Sequence, residues 1–149
     1  MNELEDAKIF LKLFPGLQRA YGVFDGIDYY WGRNQLTLQN YSDHLEGRTS
    51  LGIVPITDDD LCKFGALDDD THKKDKKNIQ KWTKAKYQKL LDKIKFLKLP
   101  LTVFKSKGGG AHMYLFLDKY YKAEDVRHIL TKMAYALGYE RDSIEIFPK

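Results

Sequence analysis

The sequence predicts an α+β fold whose larger part is a ferredoxin-like βαββαβ unit, and three observations carry that prediction. From Cys62 onward, apolar runs and turn residues alternate in the order strand, helix, strand, strand, helix, strand. Two of the runs place apolar residues at helical spacing, with Pro100 or Gly138 just beyond their ends. The other four are short and rich in aliphatic and aromatic residues, as strands are.

At 149 residues and 43% hydrophobic content, the chain is long enough for one compact domain with a substantial core and too short for two comfortable ones. The expected division within that single domain, 1–149, is a small N-terminal α/β unit over about 1–60 and the βαββαβ unit over about 61–149. Aromatic content of 13% and charged content of 31% argue against a disordered chain. No run approaches the roughly 20 apolar residues of a membrane span, and the acidic N-terminus carries no signal-peptide pattern, so a soluble cytoplasmic protein with no membrane partner is expected. A single cysteine, Cys62, excludes an internal disulfide and a cysteine-based zinc cluster.

In chain order, Leu4, Ala7, Phe10, Leu11 and Phe14 predict an amphipathic helix over 3–14, ended by Pro15 and Gly16. The aromatic and glycine-rich stretch 21–38 reads as short strands or loops, and 41–47 as a short helix or turn. An extended segment over 50–56 follows, and its Pro55 suggests an edge. The first strand of the larger unit is predicted over 62–68. A helix over 76–97 comes next, with Ile79, Trp82, Leu90, Ile94 and Leu97 on one face and lysines on the other. Strands at 101–105 and 111–117 flank the loop Ser106, Lys107, Gly108, Gly109, Gly110. A helix over 123–137 and a strand over 143–147 complete the order. In this topology the first and third strands are central and the fourth lies beside the first. The end of the first, the start of the third and the early part of the fourth then meet at one edge.

That edge collects the residues with chemistry. The first strand ends in Asp68, Asp69 and Asp70, and adjacent carboxylates repel unless a cation joins them. Strand alternation puts Asp68 and Asp70 on one face and Asp69 on the other. With Glu145 from the neighbouring strand they can hold two divalent cations in the manner of two-metal phosphoryl-transfer sites, and oxygen ligands suit Mg²⁺ or Mn²⁺. His112, just beyond the glycine loop, is placed to meet a phosphate while backbone N–H groups of the loop cradle it. An acidic surface turn, a plain hairpin and a solvent-facing Glu145 are the blander alternatives for each piece taken singly. The formal charge of +4 is uneven: eleven lysines lie between Lys73 and Lys98 against two acids. This fits a polyanion held beside a metal, or simply a solvated helix face.

The segments 43–47 and 51–56, the strand Phe64 to Asp70, the loop Lys105 to His112 and the run Glu145 to Lys149 together resemble the archaeo-eukaryotic primase superfamily. The likeness is greatest to the primase-polymerase domains of TOTE conflict systems and related mobile elements, and a prokaryotic, phage or mobile-element context goes with it. The resemblance implies an RRM-like palm joined to a smaller N-terminal α/β unit. It also implies template-directed nucleotidyl transfer by a DNA primase or DNA polymerase using two Mg²⁺ or Mn²⁺ ions. Asp68, Asp70 and Glu145 are then the catalytic metal ligands, and Ser106, Lys107, Gly108, Gly110 and His112 the nucleotide-binding residues. The implied partners are a single-stranded DNA template, NTP or dNTP, and a helicase, fused or separate. Asp69 stands where the family usually has a hydrophobic residue, and Gly110 where many members have serine. A non-catalytic RRM-like nucleic-acid-binding module and a degenerate primase subunit are the alternatives.

Overall fold

The structure is a computed structural model that describes residues 3–69 and 81–149. Its elements in order are α1 (Glu3–Leu13), β1 (Tyr21–Phe24), β2 (Tyr29–Gly32), α2 (Leu38–Leu45), β3 (Ser50–Gly52), β4 (Leu61–Asp69), α3 (Lys84–Phe96), β5 (Thr102–Lys105), β6 (Ala111–Lys122), α4 (Ala123–Leu137) and β7 (Glu145–Phe147). It is a mixed α+β fold with two sheets, one of three strands in the order β2-β1-β3 and one of four in the order β5-β6-β4-β7. No helix among the described residues is long and apolar enough to cross a membrane.

Two compact units divide the chain: Met1–Phe64 with Asp118–Ala123, and Gly65–Leu117 with Glu124–Lys149. In the first, β1 pairs antiparallel with β2 and with β3. Alternate residues of β1, Tyr21 and Val23, enter a core with Ala7, Leu36 and Tyr41, and Phe10, Phe14, Leu38, Leu51 and Ile53 pack around it. Tyr41 is almost fully buried and donates its hydroxyl to the Phe14 carbonyl at 2.7 Å, so burying its polar tip costs little. Burial first, and the nearby Tyr120 second, push its pKa up to about 12. Helix α2 starts at Thr37, whose N–H is accepted by the Asn40 side chain at 2.8 Å. The extended stretch expected over 50–56 is a strand only as far as Gly52.

The second unit holds the four-stranded sheet. Strand β7 lies antiparallel beside β4, and β5 beside β6. The strand order, second-third-first-fourth by position within the unit, is the one the sequence predicts. On β6, Ala111, Met113 and Leu115 are buried and alternate with His112, Tyr114 and Phe116, so one face carries the core and the other is open. The core face of β4 runs close under α4. A Cβ built on Gly65 would lie 2.5 Å from Leu130 Cδ1 and 2.9 Å from the Phe147 carbonyl oxygen, so glycine is what allows the approach. Helix α4 spans 123–137 as predicted and ends at Gly138, with φ at +92°. The Lys93 ammonium donates to the Leu137 carbonyl at 2.8 Å and so caps its C-terminus.

Two expectations need correction. The helix expected from residue 76 begins at Lys84, after the N-cap Thr83, whose hydroxyl accepts the Lys86 N–H; residues 76–80 lie outside the described residues. Trp82 is therefore not on the helix, because its N–H is taken by the Gly109 carbonyl at 2.8 Å. The strand expected to stop at residue 117 continues to Lys122, with residues 118–122 exposed or half-exposed.

Gly65→Ala is expected to destabilise the protein by about 1–3 kcal/mol through overpacking. Gly22→Ala should be neutral or slightly stabilising, since its Cβ would meet only Gly52 backbone at 3.7 Å or more. Chemical denaturation of both variants checks the contrast. The buried Cys62 thiol, its pKa pushed up to about 11 by burial, should react with iodoacetamide at pH 8 about 100-fold more slowly than an exposed thiol.

Candidate active site

The open face of the second unit brings three of the predicted residues together. Asp68 on β4 is directly opposite Glu145 on β7, so two carboxylates stand side by side on neighbouring strands. On the other side of β4, His112 Nε2 on β6 lies 3.4 Å from Asp68 Oδ1. Like charges in register destabilise an antiparallel pair. Cations next to each offset this: His112, when protonated, beside Asp68, and the Lys149 ammonium 3.1 Å from Glu145 Oε1.

Asp68 Oδ1 is buried and accepts no hydrogen bond from the described residues. A buried carboxylate oxygen without a donor is costly, and a hard cation is the partner that satisfies it. The donor set at this edge therefore fits a divalent ion. Among the described residues no three histidine, cysteine or acidic side chains gather as a metal-binding group. Asp70, the remaining predicted ligand, lies outside the described residues.

Tyr114 lies against His112. Its hydroxyl is 3.4 Å from Nδ1, and burial, followed by the negative charge of Asp68, raises its pKa, so it keeps its proton. With Nδ1 turned to the Tyr114 hydroxyl, Nε2 is the nitrogen that faces Asp68.

Asp69 points to the opposite face, as alternation requires, and accepts the Tyr139 hydroxyl at 2.8 Å. The middle acid thus ties the end of β4 to the segment just after α4. Burial, then the charge and hydrogen bond of Asp69, strongly raise the Tyr139 pKa.

The glycine loop is closed on itself. Ser106 is buried; its Oγ accepts the Gly110 N–H at 2.9 Å, its carbonyl accepts the Gly109 N–H at 3.0 Å, and its own N–H donates to the Gly110 carbonyl at 3.0 Å. Gly109 has φ at +90°, which the turn requires of glycine. The expected cradle of successive N–H groups is therefore narrower, because those of Gly109 and Gly110 are spent inside the turn; Lys107 and Gly108 form its tip. Sequence reasoning missed the supports of this loop. Trp82 holds the Gly109 carbonyl, and the Tyr87 hydroxyl donates to the Gly110 carbonyl at 2.6 Å. The two rings pack 5.1 Å apart, with the Lys86 ammonium 4.0 Å from the Trp82 ring centre. Helical periodicity hid Trp82, and no local signal marked Tyr87.

Compared with known families, residues 31–148 match the model described as the TOTE conflict system, Archaeo-Eukaryotic Primase domain. The chain belongs to this family. The match covers most of the chain and includes Asp68, the glycine loop, His112 and Glu145. A comparison of the chain with curated proteins found none that matches it. Nucleotidyl transfer is the general chemistry of archaeo-eukaryotic primase domains, and divalent metals are their general cofactors.

Tyr139→Phe should cost about 1–2 kcal/mol at neutral pH, the loss of one hydrogen bond to a carboxylate. Because the folded-state Tyr139 pKa lies above the unfolded value, its contribution is complete below about pH 10 and is lost as pH rises beyond it. Denaturation between pH 7 and 11 should show a smaller alkaline fall in the variant than in the parent.

Proposed function

We propose that this domain is the catalytic core of a DNA primase-polymerase that joins nucleoside triphosphates on a single-stranded DNA template. The observation that carries the proposal is the buried, donorless Asp68 oxygen set between Glu145 and His112 on an open sheet face.

Asp68 and Glu145, with Asp70 by its spacing, hold the ions in this proposal. Two Mg²⁺ or Mn²⁺ ions there supply Lewis-acid activation of the attacking hydroxyl and charge neutralisation on the triphosphate. The residues of the chain do the rest. His112 presents its Nε2 edge to a phosphate oxygen beside Asp68, with the Tyr114 hydroxyl against Nδ1 orienting the ring. Lys107 and the Gly108 backbone at the loop tip face the remaining phosphate charge, while Ser106 and Gly110 keep the loop shape. Lys149 screens Glu145 until the acid is needed. The basic side of α3 follows the template backbone, and a helicase, fused or separate, supplies the single strand.

Primer synthesis and extension on a single-stranded template with Mn²⁺ test the proposal. Asp68→Asn and the double variant Asp68→Ala, Asp70→Ala should fall to background while keeping the parent circular dichroism spectrum. Activity in the folded double variant refutes the mechanism. Lys149→Ala should lower the half-saturating metal concentration by about 2- to 5-fold, the size of a solvent-exposed ion pair.

A further inference from the structure

We propose that Phe104 is the platform on which the base of the incoming nucleotide stacks; this deepens the nucleotidyl-transfer reading and rests on it. Phe104 is the cross-strand partner of His112, and Thr102 of Tyr114, so Phe104 shares the open face with His112. The intervening Val103 faces the core side with the buried Met113.

An exposed phenylalanine is ordinary by itself. This one is 42% exposed and is the neighbour of the histidine placed for phosphate. Its ring meets that of Tyr114 edge to face, with centroids 5.4 Å apart and planes at 81°, and Tyr114 is stacked in turn against Phe116. The ring plane is thereby fixed before a ligand arrives, which lowers the ordering cost of binding.

The sheet order also gives a suitable span. The proposed metal ligand Asp68 is on β4 and the proposed phosphate contact His112 on β6, and Phe104 is one strand further out, on β5. Two interstrand spacings of about 4.8 Å separate β4 from β5, roughly 10 Å, comparable to the distance from a metal-bound phosphate to the base of one nucleotide. The surface is also of the right kind. A bare phenyl ring offers no hydrogen bond and stacks on any base. A template-copying enzyme requires that indifference, because the template strand makes the choice.

The test compares ATP with inorganic tripolyphosphate, each titrated with Mn²⁺ into the full chain by calorimetry. Phe104→Leu keeps the apolar volume and removes the aromatic face. It should weaken ATP about 5- to 30-fold, weaken the other three nucleotides alike, and leave tripolyphosphate within about 2-fold. Phe104→Trp should restore nucleotide affinity, and His112→Ala should weaken both ligands. ATP affinity unchanged in Phe104→Leu overturns the platform, as does an equal loss for tripolyphosphate, which marks a structural role through Tyr114. If the parent chain binds neither ligand, the nucleotidyl-transfer reading fails and the platform with it. Binding of both ligands by the parent with no preference for ATP overturns the platform alone.

Discussion

Two carboxylates in register on neighbouring antiparallel strands set the terms for the residues around them. Asp68 and Glu145 repel each other across the β4–β7 pair, and one Asp68 oxygen is buried without a donor. Packing does not call for this arrangement, since an aliphatic pair at the same register would strengthen the sheet. It persists beside Lys149, whose ammonium is 3.1 Å from Glu145, and His112, 3.4 Å from Asp68, and it is suited to taking up a metal's charge. A stability cost at a strand end that chemistry recovers is the pattern expected of a functional site.

The support of this site is layered by strand parity. On β4, Gly65 and Asp69 face the core side, one admitting α4 and the other holding Tyr139, while Asp68 faces the open side. On β6, buried Met113 and Leu115 anchor the strand that displays His112, Tyr114 and Phe116. Every second residue builds the scaffold and every other one forms the working surface, so a one-residue slip would exchange the two.

Much of this was legible in the sequence because it follows short-range rules. The strand order, the limits of α4 and the separation of Asp68 from Asp69 all come from periodicity and punctuation. What periodicity could not show were partners distant in the chain. Tyr139 is 70 residues from Asp69, and Tyr87 is 23 from Gly110. Trp82 falls at a spacing compatible with the following helix, yet the Gly109 carbonyl claims its N–H and keeps it outside. Strand β6 continues past Leu117 although its burial alternation fades, because exposure erases the pattern without ending the pairing. Cys62 and Tyr41, residue types that often sit in cores, are both buried.

The closure of the glycine loop by Ser106 has a consequence for how the site can change over time. A turn that satisfies its own backbone has no folding left to do when an anion arrives, so binding there carries little ordering entropy. It also rests on particular residues: Ser106, Gly109 and Gly110 keep the bend through bonds among themselves, with Lys107 and Gly108 at its tip. If the loop receives a polyphosphate as proposed, the residues that set its shape and those that set its charge and reach are different positions, and related domains would diverge in charge at the tip while keeping the bend.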